Sequence, residues 1–252
     1  MSMIPLNYCI QMVLPEEKQI EAARLAILEN KANIPDHDVS PCGDINSFKI
    51  TLTTGKMWAN GRTICVRFLD GDPIIHKKVQ AYAKEWSKYC NIKFDFNNSP
   101  EAEIRITFKE PGYFSYIGTD SLLVHKDQPT MGLPLSLNTA ESEFSRAVLH
   151  EFGHCIGLMH EHVSPNVDIP WDKEAVYRYY TNPIHGGWSK EMVDHNVLAK
   201  LDPRTSIYSE FDPKSIMQFP VPNELTIGDF EIGWNTTLSE IDKKFISQVY
   251  PR

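Results

Sequence analysis

The sequence predicts an α+β fold, and three patterns carry that prediction. Between Thr63 and Tyr116 the periodicities of strand and helix alternate; a histidine-loaded helix follows at about 141–156; and an amphipathic helix closes the chain after Ser239. With 252 residues, 42% hydrophobic and 23% charged, the composition is that of a globular protein able to bury a sizeable core in one domain, built of two lobes.

Taken in order, Pro15 followed by Glu16 and Glu17 is a helix start, and Ile20, Ala23, Ile27 and Leu28 recur at helical spacing up to the breakers around Pro35. "NIPDHDVSPCGDINS" is rich in turn formers and reads as extended chain. A compact domain begins near Gly55, with a turn at Asn60-Gly61 and a strand from Thr63 to Phe68. From Pro73 to Tyr89 the residues Ile75, Val79, Tyr82, Ala83 and Trp86 share one helical face. "NIKFDFN" and "AEIRITF" alternate with period two, as half-buried strands do, and "YFSYIG" adds a further strand. "LVHKDQPTMGLPLSLN" contains three breakers and reads as loop with a short strand at its end. Ser239 is a good N-cap for "EIDKKFISQVY", with Ile241, Phe245, Ile246 and Val249 facing inward.

The charge balance of 25 Lys+Arg against 33 Asp+Glu, a formal net charge of -8, offers no footprint for a nucleic-acid backbone. No apolar run reaches the roughly 18 residues needed to span a bilayer, so no membrane partner is expected, and the first residues lack the pattern of a signal peptide. The five cysteines, Cys9, Cys42, Cys65, Cys90 and Cys155, are odd in number and show no CxxC spacing, which argues against a disulfide framework and a cysteine-rich zinc module.

The most informative stretch is "HEFGHCIGLMHEH", residues 150–162. On a helix His150 and His154 project from one face toward a common point, as two ligands of one ion must. Glu151 sits beside them, placed to take a proton from a water activated by the metal without ligating the metal itself. Gly157 can adopt the left-handed conformation that ends a helix and lets the chain return His160 to the same point. Three imidazoles with an open fourth position describe a catalytic zinc, one per chain. His162 does not fit this ligand set and is expected beside the site or at the surface.

"HEFGHCIGLMHE" resembles the HExxHxxGxxHE signature of metzincin zinc peptidases, and Glu161 after the third histidine is similar to the astacin branch. "DPKSIMQFP" resembles that branch's methionine turn and would make Met217 the turn methionine; the similarity runs from about Lys56 to the end of the chain. The resemblance implies a two-lobed catalytic domain: a twisted mixed sheet and the zinc helix in a lobe of about 55–158, and a mostly irregular lobe of about 159–252 ending in a helix. It also implies an endopeptidase acting on protein or peptide substrates laid along an edge strand between Phe114 and Leu137, working as a monomer. A secreted protein is implied too, and either a leaderless export route or a reducing compartment would explain both the missing signal and the missing disulfide cysteines.

Two departures accompany the resemblance. Where astacins place a tyrosine two residues after the turn methionine, this chain has Phe219, leaving Tyr208 or Tyr177 as substitutes, and the expected disulfide cysteines are missing. "SPCGDI" in the segment 1–54, read as a propeptide, resembles two latency devices at once: Cys42 or Asp44 would take the fourth zinc position, and the softer thiolate is favoured. Alternatives are a zinc-binding protein that has lost turnover, with Phe219 in its support, and a hydrolase of non-peptide amides. Whether Tyr177, Tyr180 and Trp188 line a pocket or fill the core stays open at this level.

Overall fold

A computed structural model describes residues 9–34, 55–201 and 209–252. Six strands, β1 (Cys9–Met12), β2 (Thr63–Phe68), β3 (Lys93–Asp95), β4 (Ile104–Thr107), β5 (Tyr113–Tyr116) and β6 (Met131–Gly132), form one sheet in the order β1-β5-β6-β4-β2-β3. The sheet is mixed: β5 runs antiparallel to β6, whereas the other neighbours, β1 and β5 included, are parallel. Chain order β2-helix-β3-β4-β5 follows the pattern expected from the sequence. The short strand β6 lies in the middle of its loop, not at the end.

Helix α2 (Pro73–Trp86), capped by the Asp72 carboxylate on the Ile74 amide, buries Ile75, Val79, Ala83 and Trp86, the expected face. It packs on α3 (Glu141–Cys155), and the Trp86 indole donates to the Leu149 carbonyl at 2.9 Å. Strand β4 departs from its predicted alternation, since all four of its residues are buried. It is an interior strand, and the Arg105 guanidinium is carried there by donating to the carbonyls of Ala102, Val124 and Gln128, which satisfies a buried cation's donors.

Helix α1 (Glu16–Glu29) forms where Pro15 and the acidic first turn place it, but it turns a different face inward. Ala22, Ala23 and Ala26 are buried, whereas Ile20 and Leu28 are 43% and 80% exposed. Alanines let the helix lie close against the turn at Gly118–Leu123, and Leu14, Ala22 and Val124 close the contact with Tyr116 and Leu123. Asn33 then fastens this segment to the start of the body: its amide nitrogen donates to Met57 and its amide oxygen accepts the Met57 N–H.

The C-terminal region adds α4 (Lys173–Thr181) and α5 (Lys190–Val193) around a second core of Val176, Tyr180, Trp188, Val193, Val197 and Leu225. Tyr180 and Trp188 stack with ring centroids 5.1 Å apart, so these two aromatics fill core. Helix α6 (Glu240–Val249) opens with a capping box between Ser239 and Asp242. Ile246 is fully buried, and the Tyr250 hydroxyl donates to the Ile156 carbonyl while accepting the Trp58 N–H, joining the chain's end to the main core.

Candidate active site

Helix α3 is buried from Phe144 to Cys155, and its last turns carry His150, Glu151 and His154. Gly157, at φ +98°, ends the helix, with its N–H on the His154 carbonyl and the Leu158 N–H on Gly153. The chain reverses there and brings His160 back, so that the Nε2 atoms of His154 and His160 lie 3.1 Å apart. The Nδ1 atoms of His150 and His154 face the carbonyls of Ile216 and Leu158 at 2.7 and 2.8 Å. Each ring thereby holds its proton on Nδ1 and turns a bare Nε2 inward, the arrangement of metal-bound imidazoles.

Met217 lies beneath. Its sulfur approaches Gly153 of α3 so closely that a Cβ there would meet Sδ at 2.3 Å. Ile216 receives His150, and the Met217 carbonyl accepts the Glu161 N–H at 3.1 Å. Asp242 braces this turn from α6, accepting the Ser215 hydroxyl at 2.6 Å and the Ile216 amide at 2.8 Å. Glu161 accepts the Asp212 amide, and burial raises its carboxyl to about 7.

A thiol completes the cluster. One ligand atom each from Cys9, His150, His154 and His160 lie within 4.8 Å of one another, and all four residues are buried. Cys9 pairs with Tyr113 across β1 and β5, and its Sγ is 3.3 Å from Glu151 Oε2. Burial, then the Glu151 charge, push this thiol up, and burial pushes Glu151 up to about 8 against the lowering influence of its Cys9 contact and of Arg146. Burial also holds the three imidazoles down, His154 to about 4, so they are neutral donors. Three neutral imidazoles, a thiol and the orphaned buried Nε2 of His150 fit a tetrahedral zinc site.

A family model, Astacin (Peptidase family M12A), matches residues 51–251. The chain belongs to the astacin family. Astacin peptidases depend on zinc, and the histidine cluster of this astacin is suited to hold it. Two solved structures of myroilysin resemble it, one at 43% identity and TM-score 0.75 over 78% of this chain and 96% of that one. The other is 39% identical, with TM-score 0.62 over 88% and 96%. The medaka (Oryzias latipes) zinc-protease HCE-1, a hatching enzyme, shares the fold at 16% identity and TM-score 0.53, over 77% of this chain and 94% of that one. Among curated proteins none matches.

Set against the sequence expectations, this astacin brings together His150, Glu151, His154, His160 and Met217, and adds Cys9. Cys42, Asp44 and Tyr208 lie outside the described residues. Tyr177 is engaged elsewhere, donating to Asp194 at 2.5 Å. Phe219 lies beside His160, ring centroids 5.7 Å apart. His162 is wholly buried, its Nε2 against the Asn196 carbonyl at 2.9 Å and its ring 4.0 Å from Phe219. The expected substrate edge between Phe114 and Leu137 begins with β5, whose outer side carries β1. Cys9 and Asp242 were not singled out from the sequence. Cys9 carries one local signal, its place in the short apolar run "YCI"; Asp242 carries only its capping position. No helix among the described residues is long and apolar enough to cross a membrane.

Proposed function

We propose that this chain is a zinc-dependent endopeptidase made in latent form, with residues 1–54 as propeptide and 55–252 as a monomeric catalytic domain. The observation that carries it is the convergence of Cys9 with three histidines beside Glu151. His150, His154 and His160 would hold one zinc, which supplies Lewis acidity to the scissile carbonyl and to the attacking water. Glu151 takes the proton of that water and returns it to the leaving amine. Cys9 would silence the site twice, since its sulfur is placed to serve as the fourth ligand and its contact with Glu151 covers the base. A fourth position filled by Cys9 would be closed to Cys42 and Asp44 at the same time, so this reading gives Cys9 the latency role expected of either. Parallel pairing of β1 with β5 covers the strand edge that would receive substrate. Action outside the cell is part of this reading and is supported by the family assignment.

Phe219 beside His160 favours a second reading, a zinc-binding protein without turnover. Zinc content and casein cleavage after limited proteolysis of the N-terminal segment separate the two. The peptidase reading expects about one zinc per chain, with cleavage by wild type and none by Glu151→Gln. Zinc without cleavage by any form supports the second.

A further inference from the structure

Side chains of a strand alternate, so Cys9 and Ile10 leave β1 on opposite sides. Cys9 reaches the histidines, whereas Ile10 packs against the second core, the cluster of Val176, Tyr180, Val193 and Leu225 on which Phe219 also lies. A substrate lying on β5 with its scissile carbonyl where the Cys9 sulfur sits presents a neighbouring side chain to the same surface. That surface is apolar, and Phe219 extends it where a tyrosine would have brought a hydroxyl. A charged residue entering there would give up water for largely apolar contact, whereas an aliphatic one gains burial.

Resting on the peptidase reading above, we propose that this surface selects substrates with a branched aliphatic residue directly beside the scissile bond, and that Ile10 is the chain's own imitation of that residue. Phe219 is then a specificity residue: it forms part of the wall and takes no part in the chemistry.

The test is to activate the full chain by limited proteolysis, digest a denatured proteome and map the new ends. Val, Ile and Leu should be enriched roughly 10-fold at one of the two positions flanking the cut, the discrimination a hydrophobic pocket supplies. Before activation, Ile10→Val should stay as silent as wild type, whereas Ile10→Asp should raise casein cleavage by about 10-fold, an aspartate being poorly accommodated on that surface. Abundant cleavage with acidic residues, or no preference, at both flanking positions overturns the inference and leaves the peptidase standing. An Ile10→Asp chain as silent as Ile10→Val overturns the placement of Ile10. An activated chain that cuts nothing overturns the peptidase reading and this inference with it.

Discussion

Helix α3 and strand β1 supply three of the four candidate ligands of one site, yet the fold holds them by different means. The helix is locked by the core: Trp58 donates to the Cys155 carbonyl at 2.8 Å, Trp86 to Leu149, and two of the site's imidazoles are tied by a second nitrogen to backbone carbonyls. The strand has four residues and pairs with a single partner at the sheet's margin, and Ile10 sets it on the edge of the second core. Candidate ligands tied into the core in this way are expected to stay in place when the strand is stripped away. On the proposed reading a thiol mounted on a marginal strand acts as a removable plug, and the difference in attachment would make latency compatible with a preformed site.

The sharpest way to test this contrast is one substitution on each element. Glu151→Gln, on the helix, should lower casein cleavage by the activated chain roughly 10²–10⁴-fold, the usual contribution of a general base, with melting temperature unchanged. Cys9→Ala, on the strand, should raise cleavage by the full, unprocessed chain at least ~10-fold, because each ~1.4 kcal/mol of lost attraction multiplies the uncovered fraction by ten. Substitutions that loosen the helix's support should act on stability. Asp242→Ala leaves the Ser215 hydroxyl and the Ile216 and Ser239 amides without their acceptor, and about 1–3 kcal/mol of unfolding free energy should be lost in denaturant titrations. Gly153→Ala forces a methyl onto the Met217 sulfur, and should cost about 1–3 kcal/mol by the same measurement. The smallest effect is expected on the N-terminal segment: Leu28→Ala, at a side chain 80% exposed, should stay within ~0.5 kcal/mol.

Legibility followed the range of the interactions. The i, i+4 pair His150 and His154, the turning Gly157 and the returning His160 lie within eleven residues, and spacing alone converts them into geometry. Helices α2, α3 and α6 were readable for the same reason. Helix α1 was found in place but misread in orientation, because hydropathy favours Ile20 and Leu28 over the alanines that permit close approach. The buried β4 hid behind Arg105, whose burial depends on carbonyls up to 23 residues away. Cys9 was the least legible of all: it meets Glu151 across 142 residues of chain, and only the pairing of β1 with β5 brings it there. Local ligand chemistry drew attention to Cys42 instead.

The most direct measurement is zinc X-ray absorption on the full chain, with Cys9→Ser and Cys42→Ala beside it. A zinc held by three imidazoles at about 2.0–2.1 Å and one sulfur at about 2.3 Å is expected, with the sulfur signal lost in Cys9→Ser and kept in Cys42→Ala. A first shell without sulfur in the wild-type chain, or a sulfur that disappears with Cys42, would contradict the assignment of Cys9 as the plug.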